Sequence, residues 1–85
     1  MSMVQQIIQA VTASERQIDE QVRRLTAYNE QIDKTMKLVQ NQLGGSTQSY
    51  DQQMLQQLQQ TKKQLDDTIQ LLRTAKEKLT RVRAI

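Results

Sequence analysis

Apolar residues recur every seven positions along this chain. One series runs Val4, Val11, Ile18, Leu25, Ile32 and Val39. A companion series, offset by three or four residues, holds Met1, Ile8, Glu15, Val22, Asn29, Met36 and Leu43. Alternating steps of three and four mark the seam of a helix that packs along another helix. The second half repeats the pattern more thinly. Leu58, Leu65, Leu72 and Leu79 are spaced by sevens, and between them fall Met54/Leu55, Thr61/Lys62, Thr68/Ile69, Ala75/Lys76 and Val82.

Between the two seams lies Leu43-Gly44-Gly45-Ser46. Glycine suits the left-handed residue that ends a helix, and Ser46 or Thr47 suits the cap of the next one. The pattern therefore predicts an all-α fold, an antiparallel two-helix hairpin filling one domain, residues 1–85. The first helix covers about 2–43, the turn 44–46 and the second helix about 47–84. If the chain folds back at Gly44-Gly45, facing residues have numbers that sum to about 90. Ile32 then meets Leu58, Leu25 meets Leu65, Ile18 meets Leu72 and Val11 meets Leu79, which makes these eight residues the expected hairpin core. In that register Asn29 faces Thr61, and Glu15 falls beside Ala75 and Lys76. The polar seam residues Glu15, Asn29, Lys62 and Lys76 have two readings. They are wet interruptions, or they select register and partner, as buried polar groups do in coiled coils.

Composition changes the picture in one respect: 36 % of the 85 residues are hydrophobic. Globular domains run at roughly 45–50 %, so this chain is expected to share a core. Two hairpins pairing into a four-helix bundle would cover Ile7, Leu38, Leu55 and Leu71, which flank the seams. Chemistry is excluded more sharply. There is no His and no Cys, the two Gly are adjacent, and Tyr28 and Tyr50 are the only aromatics. Nothing here builds a nucleophile–base pair, a metal site or a phosphate-cradling loop, so no enzyme activity, metal or cofactor is expected. Gln5, Gln6 and Gln9 break the N-terminal apolar run, and Arg16 is the first basic residue, so no cleavable signal is read. The chain is expected in the cytoplasm, without stable membrane insertion, and any export would follow a signal-peptide-independent route.

Charge is uneven. Residues 1–72 carry a net −1 and residues 73–85 a net +4, from Arg73, Lys76, Lys78, Arg81 and Arg83 against Glu77. Cations at a helix end complement its dipole. They also make a surface that an acidic protein, an anionic membrane or a nucleic acid would find, but Leu79 and Val82 interleave with them as seam residues, and no nucleic-acid partner is expected.

Residues 43–50, Leu-Gly-Gly-Ser-Thr-Gln-Ser-Tyr, resemble the turn of the WXG family of small helical hairpins, the substrates of type VII secretion systems. Leu43-Gly44-Gly45 stands where Trp-x-Gly stands in that family, as in the related LXG branch and its small helical partner proteins. The family's C-terminal export motif, Tyr-x-x-x-Asp/Glu, has no counterpart here. The resemblance implies a secretion-associated hairpin that pairs with a helical protein, or with itself, and meets the secretion machinery as substrate or targeting factor. The other reading is a cytosolic coiled-coil adaptor or chaperone that is not itself exported.

Overall fold

A computed structural model describes the backbone of residues 2–43 and 49–84, with side chains described over 2–41 and 52–84. It is an all-α hairpin of two helices, α1 (Met3–Leu43) and α2 (Ser49–Ala84), 65 Å long and 14 Å across in both other directions. The length is that of about forty helical residues at ~1.5 Å each. Neither helix contains proline or an internal glycine, so nothing in either sequence ends it before the turn.

The start of α1 is capped in both directions. The Gln5 backbone N–H donates to the Ser2 hydroxyl at 3.2 Å, and the Ser2 backbone N–H donates to the Gln5 side-chain oxygen at 3.3 Å. This reciprocal pair satisfies two otherwise orphaned donors of a helix N-terminus. At the far end of α2, Arg81 and Arg83 occupy the last turn, where positive charge suits the dipole. Five threonines, Thr12 among them, return their hydroxyls to the carbonyl one turn back, so their hydroxyls are satisfied within the helix, whereas the single Thr80 hydroxyl proton has both the Lys76 carbonyl and Glu15 within reach.

The expected helices are present, with α2 described from Ser49 onward. Gly44, Gly45, Ser46 and Thr47, read as turn and cap, lie outside the described residues, as does the side chain of Leu43. The register also differs from the expected one. Five residue pairs bond across the helices among the described residues: Asp33 with Lys62, Asn29 with Asp66, Asp19 with Lys76, and Glu15 with both Thr80 and Arg83. In the first three and in Glu15/Thr80 the two numbers sum to 95, about five more than expected, while the longer Arg83 side chain reaches Glu15 from three residues further along.

The corrected register rearranges the seam. The seam positions nearest that register have numbers that sum to 94, which sets Ile32 beside Lys62 instead of Leu58, and Leu25 beside Ile69 instead of Leu65. Ile18 lies level with Lys76 instead of Leu72, and Val11 with Arg83 instead of Leu79. From the turn outward, two apolar layers (Val39/Leu55, Met36/Leu58) are followed by two containing a polar residue (Ile32/Lys62, Asn29/Leu65). Two apolar layers (Leu25/Ile69, Val22/Leu72) and two more with a polar residue (Ile18/Lys76, Glu15/Leu79) complete the main seam. The most protected apolar side chains are Ile69 and Val11, 6 % and 8 % exposed, and the rest of the expected core is half-buried. Two helices cover only one stripe of each other, so the seam stays partly open.

A pair of cysteine substitutions distinguishes the registers. Val22→Cys with Leu72→Cys is expected to oxidise readily to a disulfide within one chain, because these positions lie level across the seam. Ile18→Cys with Leu72→Cys, about one helical turn out of step, is expected to crosslink far less. Mass spectrometry of the oxidised monomers reads the outcome.

Candidate functional site

The structure has two flanks along the seam, and they differ in chemistry. On the first, every polar seam residue finds a partner on the opposite helix. Lys62 Nζ donates to Asp33 Oδ1 at 2.6 Å, and Lys76 Nζ donates to Asp19 Oδ1 at 2.7 Å. Asn29 Nδ2 donates to Asp66. Glu15, 8 % exposed, accepts from the Thr80 hydroxyl at 2.8 Å and from Arg83 Nε at 2.8 Å, with Arg83 Nη2 at 3.4 Å.

These bonds form a repeat. The Glu15/Thr80 and Asp19/Lys76 pairs reappear fourteen residues along as Asn29/Asp66 and Asp33/Lys62. The four polar residues read from the sequence, Glu15, Asn29, Lys62 and Lys76, thus belong to two clamps, one near each end of the central apolar layers. Lys76 and Glu15 are on opposite helices, but Lys76 bonds Asp19 and Glu15 bonds Thr80 and Arg83. The sequence reading missed Asp19, Asp33, Asp66 and Thr80 because none lies in the apolar series, and it took Arg83 only as a helix-end cation.

The clamps act on register through a simple asymmetry. Each exposed ion pair by itself adds little stability. A slip of one heptad, however, sets Asp33 level with Leu55 or Ile69 and strips Lys62 and Lys76 of their acids. Leaving a half-buried charge without a partner costs more than the pair contributes. The environment also tunes the groups. The Thr80 hydroxyl first, and Arg83 second, hold the Glu15 carboxyl below its usual range against the opposing effect of burial. Asp33 raises Lys62 above its usual range. Among the described residues, one buried side-chain atom has no partner: Asn29 Oδ1.

The second flank carries no such chemistry. Every seventh residue from Ile7 through Tyr28 to Thr35, and from Met54 through Thr68 to Val82, is uncharged. The adjoining columns, which contain Leu38 and Leu71, hold two charges, Arg24 and Lys78. Among the described residues, the large apolar side chains left exposed lie on this flank or at the start of the seam. Leu71 is 71 % exposed, Tyr28 and Leu38 are 59 %, and Met54 and Val82 are 50 %. Because Arg83 is level with Val11, the first turns of α1 continue past the end of α2 and present Met3, Val4, Ile7 and Ile8.

The shallow grooves on the described surface run along single helices, one beside Glu20, Arg23 and Arg24 and another beside Lys76, Glu77 and Arg81. Among the described residues, no group of His, Cys, Asp and Glu gathers as a metal site, and no helix is long and apolar enough to cross a membrane. The candidate site is therefore the elongated uncharged flank. No protein-family model, curated protein or solved structure matches this chain.

Two predictions follow from the polar flank. Asn29→Leu is expected to stabilise the hairpin by about 1 kcal/mol, because it removes a buried carbonyl with no partner and leaves Asp66 to water. A higher midpoint in urea unfolding checks it. Glu15 has a folded pKa below its unfolded value, so its contribution is present above the unfolded pKa, near pH 4.5, and is lost as pH falls through the lowered folded value. Thermal unfolding from pH 6 to pH 3 is expected to show a steeper acid loss for the native chain than for Glu15→Gln.

Proposed function

We propose that this chain is a small secretion-associated helical hairpin that pairs with a helical partner, acting as a type VII secretion substrate or targeting factor. The observation that carries the pairing is the uncharged flank, where Tyr28, Leu38, Met54, Leu71 and Val82 are exposed together. Large apolar side chains gathered on one side of an otherwise charged surface mark a protein-interaction site. Support for the secretion half comes from the resemblance of Leu43-Gly44-Gly45 to the WXG and LXG turn. Support for a paired rather than solitary signal comes from the missing Tyr-x-x-x-Asp/Glu motif: neither Tyr28 nor Tyr50 has an acid four residues on. A partner would bring its own motif beside Leu43 and Gly45.

The second reading, a cytosolic coiled-coil adaptor or chaperone without export of its own, is favoured by the same missing motif. One experiment separates the two. The chain is expressed in its native host with and without its genetic neighbours, and the medium is assayed. Export that depends on a neighbour is the expected result. Equal export of the chain expressed by itself overturns the paired signal, and retention under every condition favours the adaptor.

A further inference from the structure

We propose that the open end of the hairpin docks on the surface of an anionic lipid bilayer, with the first turns of α1 seated at the acyl-chain boundary and the outward bases of α2 held among the headgroups. The site lies apart from the uncharged flank, and it rests on neither the pairing nor the export reading.

The apolar half of the site comes from the offset between the helices. α2, through Ala84, reaches about the level of Ala10 and Val11, so residues 3–9 have no α2 residue beside them. Met3 is 76 % exposed and Val4 65 %, and Ile7 and Ile8 are exposed with them. At ~100° per residue these four side chains fall within about 140° of arc and continue the seam beyond α2. Ser2, Gln5, Gln6 and Gln9 take the opposite side, and no charged side chain occurs before Glu15. An amphipathic helix of this kind settles about 5–10 Å into the boundary between headgroups and acyl chains. The seven residues rise about 10 Å, enough for that depth and far short of a span. The reciprocal bonds of Ser2 and Gln5 already satisfy two backbone donors at this end, which lowers the cost of taking it out of water.

The basic half stands just below. Residues 1–28 contain three acids and three bases, and residues 29–66 four of each, so the whole net charge of +3 resides in residues 67–85. The helix dipole accounts for Arg81 and Arg83 in the last turn, but its effect falls off within that turn, and Arg73 and Lys78 lie outside it. Lys76 and Arg83 turn into the seam, where Asp19 and Glu15 hold them. Arg73, Lys78 and Arg81 occupy the three outward sides of α2 and make no ion pair among the described residues. Arg81 lies about 5 Å and Lys78 about 9 Å along the axis from Ala84, within reach of headgroup phosphates when their long side chains extend toward the tip.

Lipid is the occupant that uses both halves. An acidic protein segment would engage the bases and leave Met3, Val4, Ile7 and Ile8 in water. An uncharged protein would cover those four and leave the bases without counter-charge. A small apolar anchor and a basic patch each give weak, reversible attachment to a membrane, and the two together hold.

The test is co-sedimentation of the purified full chain with phosphatidylcholine vesicles containing about 30 % phosphatidylglycerol. Binding is expected to these vesicles, about tenfold weaker to phosphatidylcholine by itself, and weaker as salt is raised from about 0.1 M to about 0.5 M. Val4→Gln with Ile8→Gln is expected to weaken binding about tenfold with helicity retained, and Lys78→Gln with Arg81→Gln to do the same. Lys34→Gln with Lys37→Gln, the same loss of charge toward the turn, is expected to leave it nearly unchanged. The chain contains no cysteine, so an environment-sensitive dye reports the tip directly. On Ile7→Cys its emission is expected to move to the blue with anionic vesicles, and on Gln40→Cys to stay in place. No binding to anionic vesicles, or binding indifferent to Val4→Gln and Ile8→Gln, overturns the proposal. So does an equal loss from Lys34→Gln with Lys37→Gln, or a blue shift at both dye positions. Binding to polyglutamate as tight as to the vesicles overturns lipid in favour of an acidic protein.

Discussion

A charge placed on the seam of two helices has to find its counter-charge across that seam, and the hairpin is organised around this requirement. Lys62 and Lys76 stand where apolar residues would stand in a dry core, and each is held by an aspartate of α1. The bonds are exposed enough that their direct contribution is small. Their effect comes from exclusion, since a slip of one heptad leaves Lys62 and Lys76 without their acids and a slip of two closes one clamp only. The apolar layers supply attraction in many alignments, and both clamps close in one.

This division explains how much of the molecule was legible in the sequence. The heptad series, the absence of proline and the single Gly-Gly break were enough for two helices folded into a hairpin, because helix period and helix stops are local properties. Register is not local. The apolar stripes match best when facing numbers sum to 90 and still match at 94, with a polar residue in half the layers, since the seam advances in steps of three and four. Choosing between them required the acids beside the seam. Asp19, Asp33 and Asp66 each find a partner when the sum is 95, and that coincidence can be read in the sequence once acids next to the stripe are weighed with the stripe itself.

The candidate site was legible only in part. Leu38 and Leu71 were readable as apolar residues outside the seam. The contrast between flanks was not, because it emerges only when columns from both helices are set side by side. Charge is then nearly confined to one side and the outer faces, and the low apolar content is concentrated on the other. A composition too poor for an independent core and an apolar strip along one edge are two descriptions of the same shortage.

The fourteen-residue repeat of the clamps has a consequence for how such a chain can change length. Removing one residue between Asp19 and Asp33 rotates all that follows by about 100°, turns one clamp away from α2 and leaves the other in place. Even a whole heptad lost from one helix separates the clamps by unequal distances on the two sides. Lengths that keep both clamps closed come only in matched steps, the same number of turns added to or taken from each helix. Substitutions on the outer faces are nearly free by comparison. Hairpins built this way would therefore diverge widely in residue identity while the spacing of their seam stays quantised.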